Sequence, residues 1–170
     1  LSGAVRFRDA HPGDVDAVAR AVRGIAEAEG LAHKVTATTD DFRRLLFAEP
    51  AMLRCVVAER DGGVVGLALW HPIVTTYGGR LGMYIEDVFV EPACRGQGIG
   101  RAVFAEMARR CVAGGYDRLQ WSVKNDNLSA VAFYRRLGSE TVEGFTTHRV
   151  TGGPLAALAG TGSGGPHGGP

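Results

Sequence analysis

The sequence predicts a mixed α/β domain in which one twisted sheet is covered by helices, and three observations predict it. Strand-like and helix-like hydrophobic patterns follow one another in the order β-α-α-β-β-β-α-β-α-β. The three central strand patterns are joined by short Gly-containing turns, as antiparallel neighbours are. An apolar strand pattern also runs through a Gly-rich loop directly into an amphipathic helix pattern. At 170 residues the chain is long enough for one domain with a real core.

The elements can be justified in chain order. Val5 to Arg8 reads as an opening strand, broken at His11-Pro12-Gly13-Asp14, where Pro12 or Asp14 suits the start of a helix. Val15, Val18, Ala19, Val22, Ile25 and Ala26 recur at helical steps up to Gly30. Thr38-Thr39-Asp40-Asp41 offers caps for a second helix, through Phe42, Leu45 and Leu46, that Pro50 stops. Leu53 to Glu59 and Val64 to Trp70 read as strands about an Asp61-Gly62-Gly63 turn, and Tyr77-Gly78-Gly79 leads into a third, Leu81 to Val90. A long helix to Ala113 is ended by Gly114-Gly115, and Arg118 to Val123 reads as a strand. Asn125-Asp126-Asn127 caps a helix with the stripe Ala130, Phe133, Tyr134 and Leu137, which Gly138 ends. Phe145 to Val150 is predicted as the last strand. Residues 151–170 turn to Gly, Pro, Ser and Ala, which predicts a flexible tail.

Composition excludes several classes. Apolar residues make up 45% and charged residues 22%, and 19 Lys+Arg against 18 Asp+Glu leave a net charge of +1. No basic field argues for nucleic acid. Cys55, Cys94 and Cys111 are odd in number and have no CxxC spacing, so the reading is reduced thiols, a cytoplasmic location and no metal site. His33, His71 and His148 show no ligand spacing either. No apolar run reaches the ~18–20 residues of a membrane span.

The chemistry is concentrated in Val88-Phe89-Val90-Glu91-Pro92-Ala93-Cys94-Arg95-Gly96-Gln97-Gly98-Ile99-Gly100-Arg101. Unpaired amides at a helix N-terminus, approached closely through glycine and flanked by Arg95 and Arg101, make a site for phosphate or pyrophosphate. The Lys-Ser/Thr of a P-loop is missing after Gly100, and the loop does not follow the first strand of a βαβ unit as a Rossmann fingerprint would. A plain tight turn with a helix cap is the bland alternative.

Glu86 and Asp87 interrupt the apolar run Met83-Tyr84-Ile85 and Val88-Phe89-Val90. Carboxylates in such a run are costly unless paired or used. Strand alternation puts the two on opposite faces, so one can serve a site and the other has a structural role. For Tyr134 the alternatives are a core tyrosine with a satisfied hydroxyl or a phenol, pKa ~10, that donates a proton.

The stretch Arg95-Gly96-Gln97-Gly98-Ile99-Gly100 resembles the acetyl-CoA pyrophosphate loop of the GNAT N-acetyltransferases, Arg/Gln-x-x-Gly-x-Gly/Ala. Asn127-x-x-Ala130-x-x-Phe133-Tyr134-x-x-x-Gly138 resembles that family's second signature. The resemblance runs from Val5 to Val150, and Tyr84-Ile85-Glu86-Asp87 and Phe133-Tyr134-Arg135-Arg136 are similar to the diamine acetyltransferase branch (spermidine/spermine and thialysine acetyltransferases). It implies a GNAT domain over residues 1–150 with a splayed sheet, a homodimer, and acetyl-CoA as co-substrate. It implies cofactor contacts from Val88, Phe89, Val90, Arg95, Gly96, Gln97, Gly98, Ile99, Gly100, Arg101, Asn127, Ser129, Ala130, Tyr134 and Arg136.

The same resemblance makes Glu86 the base or the amine anchor and Tyr134 the acid for the leaving thiolate, with Glu29, Glu86 and Trp121 facing the acceptor. Holding a lysine-like amine neutral at pH 7 costs roughly 4.6 kcal/mol, so a positioned carboxylate is worth having. The segment Glu29-Gly30-Leu31-Ala32-His33-Lys34, and Thr146 further on, carry fewer acids than a polyamine site calls for. The expectation is therefore a small-molecule amine such as an amino acid or a thialysine-like side chain. A protein or aminoglycoside acetyltransferase and a non-catalytic CoA sensor are the alternatives.

Overall fold

The structure is a computed structural model, and it describes residues 3–161. The chain divides into two compact units between Val131 and Ala132.

The first unit is built on a five-stranded sheet in the order β1 (Arg6–Asp9), β2 (Arg54–Arg60), β3 (Gly63–Thr75), β4 (Arg80–Val90) and β5 (Leu119–Trp121). Every neighbouring pair is antiparallel except β4 and β5, which are parallel. The β2–β3 hairpin turns through Asp61 and Gly62, both at positive φ (53° and 77°). Two successive positive-φ residues give the turn whose twist matches antiparallel strands.

Helices α1 (Val15–Ala28) and α2 (Thr39–Phe47) cover one face. There Val15, Val18, Ala21, Phe42 and Leu46 pack with Cys55, Val57, Leu67, Leu69 and Phe89 of the strands. Each large side chain fully buried here is worth roughly 1.5–3 kcal/mol. Gly24 makes the contact close: a Cβ there would sit 3.1 Å from the Phe89 ring. The 3-10 turn that leads into α1 and the start of α2 are both capped. His11 and Asp14 form a capping box around the short 3-10 turn before α1, and Thr38 and Asp41 form one at α2. Asp14 is buried, and its carboxylate takes two hydrogen bonds from Arg8, at 2.6 and 2.9 Å.

Helix α3 (Ile99–Ala113) packs on the other face. Its apolar stripe, Ile99, Val103, Met107 and Cys111, is buried, and Phe104 joins it. Alternate β3 residues turn to this side: a Cβ on Gly66 would meet Ile99 at 3.6 Å, and Trp70 packs edge-on against Tyr116 just beyond α3.

Helix α4 (Leu128–Arg136) starts in the first unit and crosses into the second, which also holds α5 (Gly152–Leu158). Two sequence expectations fail here. Phe145 to Val150 forms no strand, and Val142, Phe145 and Val150 are exposed. β-Propensity without a paired neighbour does not make a strand, because the ladder supplies the hydrogen bonds. Helix α5 lies inside the stretch for which composition predicts no element. Residues 162–170 of that stretch lie outside the described residues.

Candidate active site

The Gly-rich loop has the conformation an anion site needs. After a 3-10 turn at Pro92–Cys94, Gly96 and Gly98 take left-handed φ values of 74° and 81°, and Gly98 is the N-cap of α3. Only glycine adopts these angles without strain. Gly98 has no side chain to cap the helix, so the first-turn amides of Ile99, Gly100 and Arg101 are left for another acceptor. Arg95 and Arg101 are exposed beside them. The loop is pinned from the side: Arg60, at the end of β2, donates to Gln97 Oε1 (2.8 Å) and to Cys94 Sγ (3.0 Å). Gln97 in turn donates to the Ala93 carbonyl (3.1 Å), and Arg95 to that of Val90 (3.2 Å). The donor set, helix amides with flanking guanidinium groups, fits a pyrophosphate.

The preceding strand divides its predicted contacts. Phe89 is committed to the core under α1, so only its backbone is left to meet a ligand. Val88 lies opposite Ala68 and Val90 opposite Gly66, on the α3 face.

Two residues earlier the ladder is irregular. Leu69 pairs with Asp87 but Trp70 pairs with Ile85, so Glu86 is an extra residue with no partner on β3. This is a β-bulge, and it cancels the alternation that was to separate Glu86 from Asp87. Asp87, opposite Leu69, lies on the α1 face. Glu86 reaches the same face, where its Oε1 is 2.9 Å from Nε2 of His71, two residues along β3 from Leu69. The expectation that these carboxylates face opposite ways is therefore corrected: both stand on one side.

Glu29, the C-cap of α1, brings a third acid to this corner. Burial pushes the Asp87 carboxyl up to about 6, and the charges of Glu86 and Glu29 push the same way. The His71 ring lies 5.4 Å from the Tyr84 ring, and the Tyr84 hydroxyl is 2.7 Å from Ser122 Oγ. Lys124 approaches the Glu29 carbonyl at 3.5 Å and Asp126 at 3.6 Å. The acidic corner is thus assembled from α1, β3, β4 and the segment after β5.

Trp121 does not join it. It pairs in register with Ile85, and its ring packs at 5.0 Å on Phe104 of α3, so it stands on the opposite face from Glu86. Asn127 caps α4: its Oδ1 accepts from the Ala130 amide (3.1 Å) and the Ser129 hydroxyl (3.0 Å). Tyr134 and Arg136 belong to the second unit, where the Tyr134 ring lies 5.4 Å from that of Phe133 and Arg136 is exposed.

His71, Tyr84 and Ser122 were not singled out as site residues from sequence. The short turn at Tyr77-Gly78-Gly79 was the available signal, since a tight hairpin there brings His71 opposite Tyr84. The bulge had no sequence signal.

Residues 20–139 match the acetyltransferase (GNAT) family. The chain belongs to that family and is an acetyltransferase. It is 32% identical over 166 residues to thialysine N-epsilon-acetyltransferase from Mus musculus, which covers 91% of this chain and 97% of the relative. It is 31% identical over 126 residues to an L-ornithine N5-acetyltransferase from Arabidopsis thaliana, covering 74% of this chain and 52% of that one. Among solved structures, an integron cassette protein from the mobile metagenome of V. cholerae shares the fold at a TM-score of 0.74 and 23% identity, covering 91% of this chain and 97% of its own.

Proposed function

We propose that this chain transfers the acetyl group of acetyl-CoA to a primary amine of a small molecule: an amino acid, a thialysine-like compound or a diamine. The observation that carries the acceptor class is the convergence of Glu29, Glu86 and Asp87 on one corner, with the Asp87 carboxyl raised by burial and by its two neighbours. Like charges held together are costly, and a cationic ligand offsets the cost. The mouse and Arabidopsis relatives, named for thialysine and L-ornithine, point to the same class.

In this reading the amides of Gln97 to Arg101, with Arg95 and Arg101, hold the pyrophosphate, and Asn127, Ser129 and Ala130 extend the contact. Acetyl-CoA supplies an acetyl group already activated as a thioester, so no covalent enzyme intermediate is needed. Glu86 anchors the ammonium form of the acceptor and takes its proton, directly or through water. Attack by the neutral amine breaks the thioester C–S bond, and the leaving CoA thiolate takes a proton whose donor, by the family resemblance, is Tyr134. A cytoplasmic location is supported by the three free cysteines. The exposed Val142, Phe145 and Val150 support a homodimer.

The test is release of free thiol from acetyl-CoA with L-lysine, thialysine, L-ornithine, short diamines, aminoglycosides and a lysine peptide as acceptors. Turnover is expected with the small amines. Tight CoA binding without turnover would make the chain a sensor, and turnover confined to aminoglycosides or peptide would overturn the small-amine reading.

A further inference from the structure

Glu86 receives little orientation from the sheet. It has no partner on β3, because the bulge leaves it between the Leu69–Asp87 and Trp70–Ile85 pairs. On the other side the parallel pairing stops one residue earlier, at Ile85 opposite Trp121. Its side chain is 49% exposed, so packing does not confine it either. A free glutamate side chain has much rotamer freedom to lose, and a group that takes a proton from a bound amine has to be held in place.

A run of side chains supplies what the ladder does not. Glu86 Oε1 lies 2.9 Å from His71 Nε2, a hydrogen bond that orients the carboxylate and requires no net charge on the ring. His71 is opposite Tyr84 in register, and the two rings lie 5.4 Å apart with a tilt of 30°. The Tyr84 hydroxyl is 2.7 Å from Oγ of Ser122, the first residue beyond β5. Trp70, Ile85 and Trp121 are turned to the α3 side, so their neighbours His71, Tyr84 and Ser122 share the face that Glu86 reaches. The run starts at the end of β5, crosses β4 to β3 and returns to the bulge, bridging the point where β4 and β5 stop pairing.

We propose that His71, Tyr84 and Ser122 are positioning residues for the transfer reaction: linked in that order, they hold the Glu86 carboxylate toward the acceptor amine without touching the reacting atoms. This rests on the reading above in which Glu86 takes the proton of the amine. A tie that merely strengthens the sheet is the competing account, and it differs in where the loss appears.

The experiment measures steady-state thiol release from acetyl-CoA with thialysine and with L-ornithine. Ser122→Ala and Tyr84→Phe remove the two ends of one hydroxyl contact, so each should lower kcat about threefold and the double variant no further. His71→Phe keeps a ring against Tyr84 but loses the bond to Glu86, and should lower kcat about tenfold. The KM for acetyl-CoA should not move in any of them, and Ser122→Thr, which keeps the hydroxyl, should recover most of the loss. Repeated in a Glu86→Gln background, where no carboxylate is left to orient, the same replacements should cost nothing more. Ser122 is exposed, so its variants test the proposal without disturbing the core. Equal fold losses in both backgrounds overturn the proposal, as does an unchanged kcat in Ser122→Ala and His71→Phe, whatever happens to their thermal midpoints. A near-normal kcat in Glu86→Gln alone, or no thiol release with either amine, overturns the underlying reading instead, and both are seen before any positioning residue is replaced.

Discussion

The Gly-rich loop and the acidic corner are built in opposite ways. The loop between Arg95 and Arg101 makes its site from backbone: two left-handed glycines and a helix start without a side-chain cap. The corner makes its site from side chains that are remote in sequence, brought together by a bulge and by the end of a helix. A backbone site depends on a few contiguous residues and tolerates change around them. A side-chain site depends on register, and each of its members has a distinct charge to contribute.

The largest expected effect tests the corner. Glu86→Gln keeps the size and the hydrogen bond to His71 but removes the carboxylate, and kcat should fall at least about hundredfold. Near-normal kcat in a steady-state assay would remove Glu86 from proton transfer and leave it only an anchoring role.

Asp87 gives the next effect, on stability. Its folded pKa, about 6, lies above the unfolded value of about 3.9, so the folded state binds its proton more tightly. Below pH 4 the group is protonated in both states and costs nothing. The penalty grows between pH 4 and 6 and is complete above 6, at roughly 3 kcal/mol. Asp87→Asn should therefore stabilise the chain by about that amount at pH 8 and hardly at all at pH 4, read by urea unfolding at the two pH values. Equal effects at both would mean that neither burial nor the neighbouring charges raise its pKa in the folded state.

The smallest effects sharpen the contrast within the loop. Gly98→Val forces a β-branched residue to a φ of 81° and should raise the KM for acetyl-CoA about tenfold. Arg60→Ala removes one exposed and one part-buried side-chain contact and should raise it about threefold. The reverse order would mean that the loop's shape is held by Arg60 and not by its own backbone.

The same contrast explains what could be read from the sequence. The sheet, α1, α2 and α3 were legible because their hydrophobic periods and turn residues are local, and the loop was legible because its glycines, Gly96, Gly98 and Gly100, alternate within one short segment. The resemblance names Glu29 and Glu86 as facing the acceptor, and both charges act on Asp87 in the structure. Alternation separates Glu86 from Asp87 because it assumes a regular ladder, which the bulge at Glu86 breaks. His71 was passed over because its meaning depends on a partner 15 residues away. The strand expected at Phe145 to Val150 had the right residues and lacked a neighbouring strand.

The bulge has a genetic consequence. Without Glu86, Ile85 would still face Trp70 and Asp87 would still face Leu69, now in an unbroken ladder. Loss of that single codon would leave every other side chain of β4 on its present face. The sheet has no need of this residue, and so an in-frame deletion is a short route from an active chain to one that keeps its architecture without its glutamate.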